Sequence, residues 1–486
     1  MIMGLVSVVL IAPLIAVLLC ATARSARAAE SINLGASLIT AAAALPLPFM
    51  AHPARIALGG YLLVDGLGTW VVLCAALVYA LASIYAVGYM RLLGEPQRLM
   101  RFYALFAGFA WTTLVAPLMN NAGVYWIAVE LTTLVSTFLV GFEQASESIE
   151  AAWKYIVVVS AGISLALLGT VLFYWAGTAV LGPRYDMTWQ ILTQSAPHMN
   201  PTLVTMAFLL TLIGYGTKAG LAPMHTWLPD AHSEGPAPVS ALLSGALLNT
   251  AMVGIVRFKA VAEQTGTGSL PRVALITLGV LSLALAALFI VRQRGVKRLM
   301  AYSSIEHMGV IALGFGFGGV LGVAGALYHM LNHALNKSLM FFGAGAMMRA
   351  YGTKDMTGIR HVGTHFPFAG ALWLAGAVAI TGAPPFGLFL SELTVLRAGF
   401  TPTDVWAAGI MLVLLVVIFA GFLNHFRIMY FTEAPTPAPD VQAIGPWCTL
   451  PMLLAGIPLL VLGLWWPSAF STVFHAVSSA LAGGAP

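Results

Sequence analysis

The stretch Gly214-Tyr-Gly-Thr-Lys-Ala-Gly-Leu-Ala-Pro-Met-His-Thr-Trp-Leu-Pro-Asp230 follows the hydrophobic run 203–213 without a polar break. This pattern places Lys218 inside a membrane helix, where a charged side chain costs about 2.5–3.5 kcal/mol on insertion scales. Pro223 removes a backbone donor and frees the carbonyl of Ala219, which predicts an interruption of the helix. Because an interrupted and charged helix is tolerated only where it lines protein or water, the stretch is typical of an ion pathway.

The composition predicts an all-α polytopic membrane protein. Of the 486 residues, 60% are hydrophobic and 8% are charged, and the mean hydropathy is +0.91, whereas about a quarter of the residues of a soluble protein are charged. The connections 176–202 and 431–444 are predicted to be the only loops of any size. Apolar runs of about 18 residues or more predict roughly fourteen spans: 3–21, 32–50, 67–90, 102–118, 121–141, 153–175, 203–222, 238–256, 273–291, 301–318, 320–347, 367–390, 405–430 and 446–466.

The distribution of lysine and arginine predicts the orientation. Connections that follow odd-numbered spans contain fourteen of these residues, and the other connections contain six. By the positive-inside rule the first group faces the cytoplasm, so the net charge of +5 indicates topology and gives no sign of nucleic-acid binding. The first span has no basic segment before it and is longer than a signal-peptide core, so we expect a retained helix.

The cysteines predict no redox centre within this chain. Cys20, Cys74 and Cys448 lie in apolar spans and far apart in the sequence, so we expect buried small hydrophobic side chains. An iron–sulfur cluster normally takes four cysteine thiolates, and no glycine-rich dinucleotide fingerprint is visible. We therefore expect no cofactor, no resident metal and no redox chemistry in this chain alone, although it can belong to an oxidoreductase complex.

Five charged residues remain inside predicted spans: Glu130, Lys218, Glu306, Lys337 and Glu392. Left unpaired they would cost on the order of 12–17 kcal/mol, so we expect them to face one another or a hydrated interior. Buried lysine, glutamate and histidine can exchange protons near neutral pH, and histidines lie between these charges along the chain, which indicates a proton relay. The interleaved histidines are His225, His232, His307, His329 and His333.

The cytoplasmic end of the interrupted helix is the predicted entrance to this relay. Asp230, His232 and Glu234 follow the break in a short predicted loop. Their position on the cytoplasmic side would allow them to pass protons to the buried groups.

Each of these groups also has a structural interpretation. His329 and His333 lie one helical turn apart, a spacing that suits zinc, but the HExxH glutamate is missing and Lys337, one turn further, would oppose a metal ion. The same residues are also compatible with a structural polar core. Glu306 and His307 are compatible with a local ion pair that closes the bundle, and the other two intramembrane glutamates with structural counter-ions of the lysines.

A weak internal repeat is typical of a transporter. Glu130 and Lys218 are 88 positions apart, and Glu306 and Glu392 are 86 positions apart. Each pair joins an acidic residue in an ordinary span to a titratable group beside a glycine- and proline-rich break. Interrupted segments in corresponding halves indicate inverted repeats. The prolines of the two breaks are Pro223 in the first and Pro384 with Pro385 in the second.

Five sequence blocks carry a resemblance to a known family of membrane proteins. They are Trp126-Ile-Ala-Val-Glu-Leu131, Lys218-Ala-Gly-Leu-Ala-Pro-Met-His-Thr-Trp-Leu-Pro-Asp-Ala-His232, Pro236-Ala-Pro-Val-Ser-Ala-Leu-Leu-Ser-Gly245, Ala301-Tyr-Ser-Ser-Ile-Glu-His-Met-Gly309 and Asn332-His-Ala-Leu-Asn-Lys-Ser-Leu-Met-Phe-Phe342. The blocks resemble the antiporter-like subunits shared by respiratory complex I, multisubunit sodium/proton antiporters and group 4 hydrogenases. Within this superfamily the fourth block most resembles the branch of hydrogenase 4 component F.

The resemblance implies a fold of about fourteen helices with two inverted five-helix repeats and broken helices seven and twelve. The N-terminal helices would occupy 1–101, the first repeat 102–260, the second repeat 261–430, and a last helix with a tail 431–486. It also implies a multi-pass protein of the bacterial inner membrane.

The function implied by the resemblance is that of a proton-translocating subunit of a redox-driven complex, of the hydrogenase-4/formate hydrogenlyase type. The alternatives are an antiporter-like subunit of complex I (NADH:quinone oxidoreductase), a subunit of a cation/proton antiporter, and a non-pumping membrane scaffold. The implied partners are other membrane subunits and, through them, a peripheral hydrogenase or dehydrogenase arm.

The resemblance also implies residue roles. Complex I relatives carry a second lysine in helix eight where this chain has Asn249, so the link from Lys218 to the central relay would run through water or His225. The implied roles are Glu130 and Lys218 as the ion pair of the input half, Lys337 with His329 and His333 as the central relay, and Glu392 as the outlet.

Overall fold

The computed structural model describes residues 1–91, 96–432 and 441–483, without the side chains of Pro96 and Gln97. The described residues are almost entirely helical, and their strands form one short antiparallel hairpin. The all-α class is therefore confirmed, as expected where apolar segments must satisfy their backbone hydrogen bonds internally. Within the predicted loop 431–444, residues 433–440 lie outside the described residues.

The helices and strands follow one another along the chain in two parts. The first part contains α1 (Ile2–Ala21), α2 (Ala26–Ala44), α3 (Leu47–Met50), β1 (Arg55–Ala57), β2 (Leu62–Val64), α4 (Gly66–Arg91), α5 (Pro96–Val115), α6 (Ala122–Val140), α7 (Ser146–Leu181), α8 (Trp189–Ser195), α9 (Pro201–Ala219), α10 (Leu228–Glu234), α11 (Ala237–Leu242) and α12 (Leu248–Glu263). The second part contains α13 (Leu270–Ile290), α14 (Val296–Phe317), α15 (Gly319–Tyr351), α16 (Val362–His365), α17 (Pro367–Ile380), α18 (Gly387–Gly399), α19 (Val405–Phe431), α20 (Pro446–Leu464) and α21 (Ser468–Leu481). A π-helical segment, Leu243–Leu247, joins α11 to α12.

Eleven helical segments among the described residues are long and apolar enough to cross a membrane. A helix lies at each predicted span, and those outside the group of eleven are α14, α15 and the interrupted pair α17 and α18, of which α17 is apolar but only 14 residues long. These helices carry Glu306, Lys337 and Glu392. The helices outside the group of eleven therefore include those that carry three of the five charges predicted inside the membrane.

Several predicted loops are helical instead. Helix α7 extends well beyond the predicted span 153–175 because its apolar sequence continues to Leu181 and polar turns extend it back to Ser146. The predicted connection 176–202 is thus reduced to 182–200, and it contains α8. Asp230 and Glu234, predicted in a loop, lie in α10, and the predicted tail after residue 466 contains α21.

Both predicted helix breaks are present. Helix α9 ends where Gly220 adopts a left-handed backbone with φ of 75°, and α10 begins only at Leu228. Helices α17 and α18 are separated by residues 381–386, which include Gly382 with φ of 66° and the two adjacent prolines. Glycine tolerates positive φ without the steric penalty of a side chain, so these residues allow the chain to stop and restart inside the bundle.

Helix α15 is the central helix of the bundle. It is buried along nearly its whole length and packs against α4, α11, α14, α17, α18, α20 and α21. Two side chains of α4 fix it: Trp70 Nε1 donates to the carbonyl of Leu327 at 2.8 Å, and the hydroxyl of Tyr85 donates to Phe342 at 2.9 Å. His329, His333 and Lys337 are thereby held in the interior.

Helices α7 and α9 approach each other closely through small residues. A Cβ atom at Gly214 would lie 2.5 Å from the backbone nitrogen of Ala166, and one at Gly162 would clash with Thr217. Such glycine contacts allow membrane helices to pack backbone against backbone. The close contact brings Lys218, at the end of α9, against α6 and α7.

Ion pairs join the helix ends on each side of the bundle. At one end, Asp230 pairs with Arg298 and lies 3.5 Å from Lys154. At the other end, Arg257 pairs with Asp65 at 2.9 Å. The first group joins connections that follow odd-numbered predicted spans, and the second joins connections that follow even-numbered ones, as alternating spans require.

Candidate functional site

Lys218 lies in the last turn of α9 and is fully buried. Its Nζ donates to the hydroxyl of Thr133 at 2.6 Å and to the hydroxyl of Tyr155 at 3.1 Å, and it lies 5.4 Å from the centre of the Tyr155 ring. A cation at a helix C-terminus is also favoured by the helix dipole. The left-handed Gly220 that ends α9 therefore places the lysine where the dipole stabilises its charge.

Glu130 is linked to Lys218 through Thr133, so a hydroxyl group bridges the two charges of the predicted pair. The Thr133 hydroxyl accepts from Lys218 and donates to Glu130 Oε2 at 3.2 Å, while Ser160 donates to Glu130 Oε1 at 2.7 Å. Thr133 follows Glu130 by one helical turn, so both side chains lie on the same face of α6. One hydroxyl thus connects the lysine to the carboxylate.

A second cluster lies between α14, α15 and α18. His307 Nδ1 lies 2.9 Å from His329 Nε2, and His329 Nδ1 lies 2.9 Å from the hydroxyl of Ser391. His333 faces the same space, with its ring centre 5.3 Å from that of His307, and its Nε2 lies 3.3 Å from the hydroxyl of Ser244. All of these side chains are buried. His307 therefore lies against both predicted histidines of the central relay, His329 and His333.

Lys337 lies at one end of this cluster. Its Nζ donates to the carbonyl of Met300 at 3.1 Å and to the hydroxyl of Ser303. Glu306 lies within electrostatic range of Lys337, and neither carboxylate oxygen of Glu306 has a hydrogen-bond partner among the described residues. No hydrogen bond joins Glu306 to His307 among the described residues, and His307 Nδ1 lies 2.9 Å from His329 Nε2 instead.

Glu392 is buried beside the second helix break. A Cβ atom at Gly382 would clash with the Glu392 carboxylate, and Glu392 Oε1 has no hydrogen-bond partner among the described residues. Glu392 directly follows Ser391 on α18. The same turn of helix therefore carries the serine that contacts His329 and a carboxylate. The break at 381–386 includes exposed prolines, so it reaches from Glu392 to the surface of the chain.

One group of described residues has donor atoms close enough for a metal ion. One nitrogen each of His307 and His329 and one carboxylate oxygen of Glu392 lie within 4.8 Å of one another. The pair that the sequence spacing suggested, His329 and His333, is not this group. Since His307 and His329 are hydrogen-bonded to each other and Lys337 lies in electrostatic range of both, the arrangement favours proton exchange.

The three residues predicted as an entrance have different surroundings. Asp230 is held by ion pairs, whereas Glu234 pairs with Lys354 at 2.7 Å and lines a cavity of about 280 Å³ together with Lys297. His232 is fully buried, stacks on Phe341 with ring centres 4.8 Å apart, and lies in electrostatic range of Lys337. His232 therefore lies in the interior, between this cavity and Lys337 of the second cluster.

Two residues were considered for the link between Lys218 and the second cluster. The His225 ring, in the first break, faces Tyr302 with ring centres 6.5 Å apart. Asn249, on α12, is buried and donates to the carbonyl of Gly245 at 3.0 Å. Neither residue is hydrogen-bonded to Lys218 in the part of the chain that the structure describes.

The hydroxyl-bearing residues of the two clusters were not singled out from the sequence. They are Thr133 and Tyr155 in the first cluster, and Ser244, Ser303, Ser304 and Ser391 in the second. A weak signal existed for some of them: Thr133 lies one turn from Glu130, and Ser391 directly precedes Glu392. Hydroxyl groups are common in membrane helices, so composition alone does not identify them.

Comparison with known proteins shows the family to which this chain belongs. Residues 120–420 match the family model described as NADH:quinone oxidoreductase/Mrp antiporter, TM. The chain is 35% identical over 428 residues to a hydrogenase-4 component F homolog of Methylacidiphilum infernorum (isolate V4), covering 87% of this chain and 89% of that protein. It is 30% identical over 443 residues to hydrogenase-4 component B of Escherichia coli (strain K12), covering 85% of this chain and 64% of that protein.

A solved structure shows the same fold. A chain of the membrane-bound sulfane sulfur reductase, an archaeal respiratory membrane complex, superposes with a TM-score of 0.87 at 23% identity, covering 99% of this chain and 97% of that chain. The family match spans both buried clusters, from Glu130 to Glu392. This chain therefore belongs to the NADH:quinone oxidoreductase/Mrp antiporter family of transmembrane proteins.

Proposed function

We propose that this chain is the proton-translocating membrane subunit of a redox-driven complex of the hydrogenase-4/formate hydrogenlyase type. The observation that carries the proposal is the pair of buried clusters of exchangeable groups, one around Lys218 and one around His329. The 35% identity to a hydrogenase-4 component F homolog supports the choice of complex.

In this proposal the first cluster is the input half of the relay. Glu130 is half-buried, so it can exchange protons with the outside of the chain, and Thr133 links it to Lys218. Loss or gain of a proton at Glu130 changes the charge that Lys218 experiences across one hydroxyl. The pair therefore responds to its neighbours as one unit.

The second cluster is the central relay and outlet. Protons enter from the cavity beside Glu234 and pass His232 to reach Lys337, His333, His307 and His329, with Glu306 as the counter-charge. Glu392, beside the second break, is the outlet. Asp230 holds α10 in place by its ion pairs. His225 packs against Tyr302 and is part of the first helix break.

The proposal includes the division of the chain into repeats. Helices in 1–101 precede a first repeat in 102–260 and an inverted second repeat in 261–430, with the last helices in 431–486. The first cluster then belongs to the first repeat, and Glu306, Lys337 and Glu392 belong to the second.

In this proposal other subunits of the complex carry the redox centres. We propose that the chain is a multi-pass protein of the bacterial inner membrane, that its direct partners are other membrane subunits, and that a peripheral hydrogenase or dehydrogenase arm carries the redox centres. The purified complex in mild detergent should then contain a nickel–iron hydrogenase subunit. Recovery of only antiporter subunits would contradict the proposal.

A second candidate is a subunit of a cation/proton antiporter or of complex I. The family description names both an NADH:quinone oxidoreductase and the Mrp antiporter, so it supports this second candidate as well. The same partner identification distinguishes the candidates, because NADH dehydrogenase subunits would indicate complex I. A scaffold without transport would retain its partners but would tolerate replacement of Lys218.

A further inference from the structure

The hydroxyl of Ser391 lies within hydrogen-bond distance of a backbone carbonyl and of a histidine ring. Its oxygen lies 2.8 Å from the carbonyl oxygen of Leu388 and 2.9 Å from His329 Nδ1. A carbonyl only accepts, and a serine hydroxyl has one hydrogen to donate. When Ser391 donates to Leu388, its oxygen accepts from His329, and His329 Nδ1 then carries a hydrogen.

The other nitrogen of His329 then carries the lone pair. In the neutral ring with a hydrogen on Nδ1, Nε2 accepts, so His307 Nδ1 donates to it across 2.9 Å. His307 Nε2 is in turn an acceptor, and it is buried without a partner among the described residues. The hydrogen bonds thus run in one direction, from His307 through His329 to Ser391.

The same reasoning assigns the opposite tautomer to His333. When Ser304 donates to the carbonyl of Met300 at 3.1 Å, Ser244 donates to Ser304 across 2.8 Å. The Ser244 oxygen then accepts from His333 Nε2. His329 and His333 are therefore expected to be protonated on different nitrogens, one turn apart on one helix.

This polarity determines how a proton moves through His329. A proton that binds His307 Nε2 allows the Nδ1 hydrogen of His307 to pass to His329 Nε2, which leaves His307 neutral and His329 positively charged. The charge cannot continue through Ser391, because the hydroxyl hydrogen points to a backbone carbonyl. His329 then releases the proton from Nε2. One nitrogen of each of the two histidines lies within 4.8 Å of a carboxylate oxygen of Glu392, which is the acceptor in this proposal.

We propose that Ser391 is a positioning residue that holds His329 in the Nδ1-protonated tautomer and confines its proton exchange to Nε2. In proteins the protonated nitrogen of a histidine is set by the hydrogen bond that the other nitrogen makes. The role in transport rests on the proposed relay function, whereas the tautomer is a property of the folded chain whether or not it transports protons.

Solid-state nitrogen NMR of the assembled complex with ¹⁵N-labelled histidine tests the tautomer directly. The His329 signal is identified by its loss in His329→Asn, and His425, whose Nε2 donates to the carbonyl of Ile290 at 2.8 Å, is an internal reference for the other tautomer. We expect His329 protonated on Nδ1 in the wild type and a mixture of tautomers in Ser391→Ala. A wild-type ring protonated on Nε2 alone would overturn the proposal.

Thr394→Val is the matched control for Ser391→Ala. The Thr394 hydroxyl donates to Leu390 on the same helix, so its removal should leave both the His329 tautomer and transport unchanged. Ser391→Ala should lower proton transport by about tenfold, which is less than the loss of about 100-fold or more expected when an acid–base group itself is removed. Ser391→Thr should restore it, since a threonine hydroxyl also bonds the carbonyl three or four residues back.

The two measurements separate the two proposals. Loss of transport in Ser391→Ala without any change of tautomer would overturn the positioning role. A changed tautomer with normal transport would leave the tautomer assignment standing and would contradict the relay.

Discussion

The Nζ atom of Lys218 lies 2.6 Å from the hydroxyl oxygen of Thr133, and that hydroxyl gives its hydrogen to Glu130. The lysine and the carboxylate of the first cluster therefore communicate through a single side chain. A hydroxyl that accepts from a cation and donates to an anion is polarised in both directions. Removing it separates the two charges without removing either of them.

Thr133→Val should uncouple the first cluster. Valine has nearly the shape of threonine but cannot bridge, and a hydrogen bond to a charged group contributes about 1.5–3 kcal/mol. We expect proton transport to fall by about ten- to 100-fold, with the complex still assembled. Proton uptake by inverted membrane vesicles, measured per electron transferred, checks this result.

Thr132→Val is the control for that experiment. The Thr132 hydroxyl is also buried in α6 but donates only to the carbonyl of Val129 at 2.6 Å. Equal losses in both variants would show that the hydroxyl of Thr133 has no special role.

Gly382→Ala should displace Glu392 from its position beside the second break. The new methyl group would clash with the carboxylate, and the positive φ of 66° adds a backbone penalty of about 1–2 kcal/mol. We expect loss of transport, measured as above. Gly268→Ala has the same φ of 66° and no atom within 4 Å of the new methyl, so it reproduces the backbone penalty alone. Transport at the wild-type level in Gly382→Ala would rule out Glu392 as the outlet.

Gly214→Ala should destabilise the contact between α7 and α9. Overpacking a close contact typically costs about 1–3 kcal/mol, and here the methyl group would meet backbone atoms of Ala166 and Gly162. The unfolding temperature of the detergent-solubilised protein should fall. Gly409→Ala, in open space on α19, should leave it unchanged, and a similar fall in both variants would disprove the packing argument.

The sequence predicted more of the fold than of the site. Apolar runs located the helices, and the prolines located both breaks, because membrane insertion and backbone hydrogen bonding leave few alternatives. The side-chain network was less predictable. The bridging role of Thr133 and the contact of His307 with His329 depend on helix rotation and on pairs distant in sequence, which the pattern of one chain does not specify.

Transport should depend on pH and be independent of sodium. The buried groups are lysine, glutamate, histidine, serine and threonine side chains, whereas a dehydrated hard cation prefers several oxygen ligands around one position. Transport rates measured at fixed pH with sodium replaced by choline should therefore be equal. Saturation of the rate with sodium would favour the antiporter alternative.

The most direct test of the relay is proton transport by the assembled complex carrying Lys218→Ala. We expect a fall of about 100-fold or more, the scale of loss for an acid–base group, together with normal assembly and electron transfer. Lys218→Arg should also fail, because guanidinium does not release its proton in proteins. Lys259→Ala, in which the replaced lysine pairs with Glu263 outside both clusters, should transport normally. Normal proton transport by well-assembled Lys218→Ala would contradict the relay and leave the scaffold interpretation.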